Sequence, residues 1–260
     1  MTEKTRFGIV VVGDEILTGK RLDKHFHRAI NLLAARGLEL SWARYVGDED
    51  EVLVETYRQT FASGDIVFSF GGIGGTPDDR TRQAAAAATG RRLVVHPQGL
   101  EELRKRFSDA ELTPMRLRMI EFPEGAELLP NPVNRVPGFS IGDHHFVPGF
   151  PSMAWPMVEW VLDSRYAHLH APGTITERVI LVEDCRERPI VALMEAFVAL
   201  YPPLRMSCLP HQEVDRFELE LGFRGAPALV AKAMQELQAQ VSGRGFRWYP
   251  VMLRQGAPGR

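Results

Sequence analysis

Two kinds of block alternate along the first part of the chain. Short, β-branched apolar runs end in glycine and acids, while longer stretches carry apolar residues at helical spacing and stop at a glycine. FGIVVV (7–12) leaves no polar face for water, so it predicts a strand buried on both sides. Residues 25–36 place Phe26, Ile30, Leu33 and Ala34 at helical spacing ahead of Gly37, which predicts a helix with a glycine stop. LELSWARYV (38–46) predicts a second strand, EVLVETYRQTFASG (51–64) a second helix and IVFSF (66–70) a third strand. TRQAAAAATG (81–90) predicts a third helix, since alanine has the highest helix propensity and Gly90 ends the run. RLVVH (92–96) is expected to add a fourth strand.

Strands and helices alternating at this spacing predict an α/β fold: a three-layer αβα domain with a mainly parallel sheet. Residues 97–122 read as helical. The prolines and glycines of FPEGAELLPNPVNRVPGF (122–139) predict loop with short extended pieces. Residues 144–162 read as a strand, a PGFP turn and a helix. The composition changes near residue 171, where APGT reads as a linker. The expected division is therefore 1–170 and 171–260. The second part is a small α+β unit with strands at 175–182, 204–209 and 217–223 and helices at 190–200 and 226–241, in βαββα order.

Composition changes this picture little: 45% hydrophobic and 25% charged residues describe an ordinary globular chain. The formal net charge of −2 supplies no electrostatic drive towards nucleic acid or an anionic membrane. No apolar stretch reaches the ~18 residues of a membrane span, and the first apolar run is too short for a signal peptide. A cytoplasmic protein without nucleic-acid or membrane partners is expected. Cys185 and Cys208 are too few for a disulfide framework or a zinc site and read as small core residues. Gly222-Phe223-Arg224-Gly225 has the GXXG form of a KH loop, but it joins a strand to a helix rather than two helices.

The candidate chemistry lies where the first three strands end. Gly13-Asp14-Glu15, Val46-Gly47-Asp48 and GGIGGTPDD (71–79) would share one edge of a parallel sheet, where ligands bind in such folds. Gly71, Gly72, Gly74 and Gly75 allow close approach of backbone N–H groups to an anion such as phosphate. The loop has no GxxxxGK[ST] pattern and no lysine, and it is surrounded by Asp14, Glu15, Asp48, Asp78 and Asp79. Carboxylates around a phosphate repel it unless a divalent cation such as Mg²⁺ bridges the two. Helix-start chemistry is the other reading of this stretch: Thr76 as N-cap, Pro77 at N1 and the two aspartates following. Asp23 and His25 read as surface residues.

Together, GDEILTG (13–19), VGDED (46–50), GGIGGTPDDRTRQA (71–84), FPEGAELLPNPVNRVPGF (122–139) and PGFPSM (148–153) resemble, in order and spacing, the molybdopterin-binding MoaB/Mog fold. The resemblance is greatest to its CinA-like (competence/damage-inducible) branch and covers about residues 6–165. The C-terminal unit is similar to the small domain that follows in CinA-like chains, and no counterpart of the CinA deamidase domain is expected. The resemblance implies a site for a pterin or a nucleotide. The molybdenum-cofactor branch binds molybdopterin and adenylylates it with ATP and Mg²⁺. CinA-like domains hydrolyse nucleotide pyrophosphates such as ADP-ribose, and a related domain of eukaryotic FAD synthases cleaves FAD. By motif, Asp48, Asp78 and Asp79 match acids at the site, with Asp78 and Asp79 as metal ligands. Gly71 to Thr76 match the ligand loop, Gly13, Asp14 and Glu15 the GDE turn, and Gly149, Pro151 and Ser152 a second loop. A homo-oligomer, dimer or trimer, is implied as well. This chain departs from the pattern at Gly75 (usually proline), at Pro77 (often polar) and at His25 (commonly asparagine).

Overall fold

The computed structural model describes residues 5–105, 107–213 and 216–251. They form two compact units, divided along the chain between His170 and Ala171. In the first unit the chain runs β1 (Phe7–Val12), α1 (Asp14–Leu17), α2 (His25–Ala34), β2 (Leu40–Val46), α3 (Asp50–Ala62), β3 (Ile66–Phe70) and α4 (Thr81–Thr89). It continues through β4 (Leu93–Val95), α5 (Pro97–Arg104), α6 (Pro114–Arg118), β5 (Glu121–Pro123), β6 (Glu127–Leu129), β7 (Gly138–Ile141), β8 (His144–Val147) and α7 (Pro151–Arg165).

The main sheet has the order β2-β1-β3-β8-β7-β6. The first four strands are mutually parallel, and β7 and β6 complete the sheet antiparallel. β1 alternates its side chains between two cores, which explains its unbroken apolar run. Phe7, Ile9 and Val11 pack towards Leu32 and Leu33 of α2 and Met157 and Val161 of α7. Val10 and Val12 pack with Leu53 and Tyr57 of α3 and Ala84 and Ala85 of α4. The expected three-layer αβα arrangement is therefore the observed one.

One strand differs from expectation. Residues 93–95 lie outside the main sheet, paired antiparallel with β5, and β8 holds the place beside β3. An interior strand must be buried on both faces. Val95 is exposed and Leu93 and Val94 are only partly buried, whereas all four residues of β8 are buried. β8 is the strand expected at the start of residues 144–162.

His145 is accommodated by a directional chain of hydrogen bonds. The Tyr166 hydroxyl donates to Asp143 Oδ1 (2.7 Å), so towards His145 Nε2 (2.7 Å) it accepts. His145 Nδ1 then accepts from the Ser140 hydroxyl at 2.8 Å. Burial pushes the His145 imidazole down to about 3, with the Arg165 and His144 charges acting the same way, so it is neutral. His144 stacks on Phe61 with ring centroids 4.1 Å apart, and burial pushes it down to about 4.

The second unit contains β9 (Thr176–Glu183), α8 (Val191–Leu200), β10 (Arg205–Glu213), β11 (Arg216–Gly225), α9 (Pro227–Gly243) and β12 (Trp248–Val251). Its antiparallel sheet has the order β10-β11-β9-β12. Leu193 and Phe197 of α8 and Val230, Met234 and Leu237 of α9 pack on Ile180, Val182, Leu219 and Leu221. β12 is an addition to the expected βαββα order, and Pro250 suits the edge position it occupies. The GFRG stretch lies within β11 and forms no loop between helices. Cys185 and Cys208 are both free thiols. Among the described residues, no helix is long and apolar enough to cross a membrane.

Tyr166→Phe should leave the buried His145 Nε2–H without its acceptor and destabilise the first unit by about 1–3 kcal/mol in urea unfolding. The low folded-state values of His144 and His145 also set a pH dependence. Below the ordinary histidine value of 6.5 the unfolded chain takes up protons that the fold refuses. Stability should therefore fall as pH drops through 6.5, with the loss continuing towards the folded-state values; an unfolding free energy that rises on acidification below 6.5 would contradict this assignment.

Candidate functional site

β1 has β2 on one side and β3 on the other, so the strand order reverses at β1 and a crevice opens at the strands' carboxyl ends. The turns after all three strands meet there. Those after β1 and β2 are joined by two reciprocal bonds: the Asp14 amide donates to Asp48 Oδ2 (3.0 Å), and the Asp48 amide donates to Asp14 Oδ1 (3.2 Å). The Gly13 amide donates to the Val46 carbonyl at 3.0 Å. A Cβ on Gly47 would stand 2.5 Å from Asp14 Oδ1, so the clamp requires glycine at that position.

The loop after β3 winds tightly against its own surroundings. Gly71 and Gly72 have φ of 98° and 67°, in the left-handed region that favours glycine. A Cβ on Gly71 would come 2.5 Å from the Val12 carbonyl, and one on Gly74 would strike the Asp79 carboxylate. These glycines thus serve the packing of the loop itself. The TPDD stretch is not the first turn of α4, which begins at Thr81. It closes its own turn instead: Asp79 Oδ2 accepts from the Thr76 amide (2.9 Å) and the Thr76 hydroxyl (2.5 Å).

These turns bound a cleft of about 500 Å³. Glu15, Asp48, Asp78 and Asp79 share its lining with one guanidinium, that of Arg21. Burial pushes the half-buried Asp48 carboxyl above its ordinary range. The charges of Asp14, Glu15 and Asp78 act in the same direction, against the pull of the Asp14 amide. The Thr76 hydroxyl, shared with Asp79, and Asp78's own backbone amide hold the exposed Asp78 carboxyl below its ordinary range. Among the described residues, no three His, Cys, Asp or Glu side chains converge as a preformed metal site. A second cavity of about 290 Å³ adjoins the cleft and shares Glu15, Arg21, Gly149 and Phe150 with it.

Of the residues singled out in the sequence, Gly13, Glu15, Asp48, Gly71, Gly72, Gly74, Gly75, Thr76, Asp78, Asp79 and Gly149 line the cleft. Asp14 lies outside the lining and braces Asp48. Pro151 lines the second cavity. Ser152 lines neither, because α7 begins at Pro151 and its first turn leaves Ser152 exposed. The surface reading of His25 is corrected: it is buried, stacked on Phe70 (centroids 4.4 Å apart) with Nε2 3.0 Å from the Gly149 carbonyl. Asp23 caps α2, accepting from the amides of His25 (2.7 Å) and Phe26 (3.0 Å). Arg21, Met115, Met119, Asn131, Asn134 and Met153 were not singled out but line the cleft. For the asparagines the Asn-Pro turn signal was available. Asn131 Nδ2 donates to Asn134 Oδ1 and to the Val136 carbonyl, which holds that wall in place.

Residues 8–168 match the family model described as "Probable molybdopterin binding domain". The chain belongs to that family. A relative from Pyrobaculum arsenaticum is 30% identical over 242 residues, covering 89% of this chain and 88% of the relative. A CinA-like protein of Syntrophotalea carbinolica is 33% identical over 182 residues, which is 67% of this chain and 44% of that protein. The chain thus matches less than half the length of that CinA-like relative. The crystal structure of CinA, of unknown function, from Thermoplasma acidophilum superposes with a TM-score of 0.56 at 27% identity, over 61% of this chain and 96% of that one. This molybdopterin-binding-family chain is therefore a MoaB/Mog-fold protein of CinA-like affinity.

Asp48→Asn keeps an acceptor for the Asp14 amide and removes the charge. Because the folded-state value of Asp48 lies above the ordinary 3.8, ionisation weakens the fold; the penalty is absent below 3.8 and develops as pH rises through the folded-state value. The variant should melt above the wild type at about pH 7.5, with the gap closing towards about pH 4. A lower melting temperature at the higher pH would show that like-charge repulsion does not govern this site.

Proposed function

We propose that the cleft binds the phosphate groups of a nucleotide or pterin and, with a divalent cation such as Mg²⁺, hydrolyses a phosphate anhydride of the ADP-ribose or FAD type. The observation that carries this reading is the meeting of a glycine loop and a group of carboxylates in one cleft at the point where the strand order reverses. Hydrolases of this CinA-like kind are what the sequence resemblance implies.

The donor set fits a hard cation. Glu15, Asp48 and Asp78 offer carboxylate oxygens, and Asp48 is under pressure from its negative neighbours, which a cation would relieve. With no preformed cage among the described residues, the fit is to a cation held by one or two carboxylates and completed by substrate phosphate. When bound, such a cation polarises the phosphoryl group and lowers the pKa of an attacking water. Asp78 is the ligand with its carboxylate turned to solvent; Asp79 shapes the turn through Thr76 as well as contributing charge. Arg21 steadies the phosphates. Asp48 accepts the water's proton as the oxygen attacks phosphorus, and the anhydride P–O bond breaks with its electron pair leaving on the departing phosphate.

Binding without turnover is the second reading, since a fold that carries a site does not by itself carry the chemistry. The resemblance also leaves a molybdopterin-binding or adenylylating role, as in the cofactor-synthesis branch, as a separate alternative. The family resemblance also leads us to propose a cytoplasmic homo-oligomer, a dimer or trimer, which sedimentation would read directly.

Turnover of ADP-ribose, FAD, NAD⁺ and ATP with Mg²⁺, Mn²⁺ or Co²⁺ separates the two readings. Asp78→Asn should lower metal-dependent turnover by about tenfold or more, a loss of about 1.4 kcal/mol per decade, with the melting temperature unchanged. Asp79→Asn should retain the turn and lose less. Metal-dependent binding without turnover of any of these compounds would establish the binding-only reading.

A further inference from the structure

The sequence shows no lysine in the glycine loop, yet the structure holds a cation directly behind it. Arg82, one residue into α4, is 1% exposed and donates a hydrogen bond to no carboxylate among the described residues. Its guanidinium donates only to backbone: Nη1 to the carbonyls of Arg118 and Glu121, and Nη2 to the Gly74 carbonyl at 2.7 Å. Its buried Nε has no partner. Burial lowers the basicity of Arg82, and the Glu121 and Asp79 charges offset this through space without a direct hydrogen bond, so its field also reaches the loop that it backs.

The neighbouring residue acts on the same loop. The Thr81 hydroxyl donates to the Gly71 carbonyl (2.9 Å), and the Thr81 amide donates to the Gly72 carbonyl (3.0 Å). Three carbonyls of the loop, those of Gly71, Gly72 and Gly74, are therefore turned towards the start of α4. In a planar trans peptide the next N–H points the opposite way, and the described chain has no cis peptide. The amides of Gly72, Ile73 and Gly75 consequently point away from α4, and none of them has a hydrogen-bond partner among the described residues. All three residues line the cleft.

We propose that Arg82, assisted by Thr81, is a positioning residue that turns the Gly72, Ile73 and Gly75 amides into the cleft as a site for a phosphate of the ligand, with its own charge behind them. This inference rests on the proposed phosphate-binding role of the cleft. Successive amides turned to one side form an anion-binding concavity, and a cation on the far side of the loop adds to its field. The glycine loop thus favours a phosphate through the backbone, while the carboxylates opposite serve the cation.

The test is titration of the ¹⁵N-labelled full chain with inorganic pyrophosphate, with and without Mg²⁺, followed amide by amide in NMR spectra. The Gly72, Ile73 and Gly75 amides should move downfield on binding. Arg82→Met should weaken pyrophosphate binding by about tenfold or more, as expected for hydrogen bonds organised by a charged group, and Arg82→Lys should recover part of the loss. Shifts at Asp48 and Asp78 with none at the three loop amides would overturn the amide site and leave the proposed function standing. Pyrophosphate that moves no resonance of the cleft would remove the proposed function as well. Wild-type affinity in a folded Arg82→Met protein would remove Arg82 from the account, and the wild-type titration decides the amide site even if that variant does not fold.

Discussion

The parallel pairing of β1 between β2 and β3 is the constraint on which the site depends. It makes β1 buried on both faces, so that strand reads as six consecutive apolar residues. It also brings the turns after three strands to one edge, although they are separated by more than thirty residues in sequence between Asp14 and Asp48. The reciprocal bonds between those two residues then lock adjacent turns together without any long side chain. The carboxylates of the cleft are held from the turns that follow the parallel strands, which suits a site that must keep several like charges close together.

That closeness has an energetic consequence. Asp48 is raised by burial and by three neighbouring acids, a cost to the fold that packing alone does not require. Such cost is common where a site is arranged for a ligand rather than for stability. Asp79 is different, because its carboxylate closes the turn through Thr76. Two adjacent aspartates of the same motif therefore play separate parts, one shaping the loop and one open to solvent. The glycines likewise have a double role. Their missing Cβ atoms permit the loop to lie against Val12 and Asp79, and the resulting winding leaves the Gly72, Ile73 and Gly75 amides without a hydrogen-bond partner among the described residues.

The position of His25 shows how a departure from a motif can be absorbed. Where asparagine is common, this chain has an imidazole that is buried and stacked on Phe70 and reaches the Gly149 carbonyl. Its Nε2 must donate to that carbonyl, so the contact ties the loop after β8 to the start of α2. Burial lowers its basicity, which keeps the ring neutral in that contact at ordinary pH.

The local chemistry of the chain was legible in one dimension. Apolar runs, alanine content and glycine stops located β1 to β3 and α2 to α4, because each depends on residues close in sequence; the short α1 stood in a stretch read as a turn. The acids and glycines of the site were visible because they follow those strands. The partners of those groups could not be read in this way. β8 was expected as a strand, but its place beside β3 was not, and its two histidines look polar until Ser140, Tyr166 and Phe61 are brought around them. Arg82 looks like any basic residue on a helix until α4 lies beneath the loop and the carbonyls of Gly74, Arg118 and Glu121 surround it. Met115, Met119 and Asn131 enter the cleft only through the return of the chain across its mouth. Sequence determined which segments could form strands, helices and turns, because propensity and periodicity are local. Tertiary structure decided which turns meet and which charges are left without partners, because burial and hydrogen bonding are properties of neighbours in space.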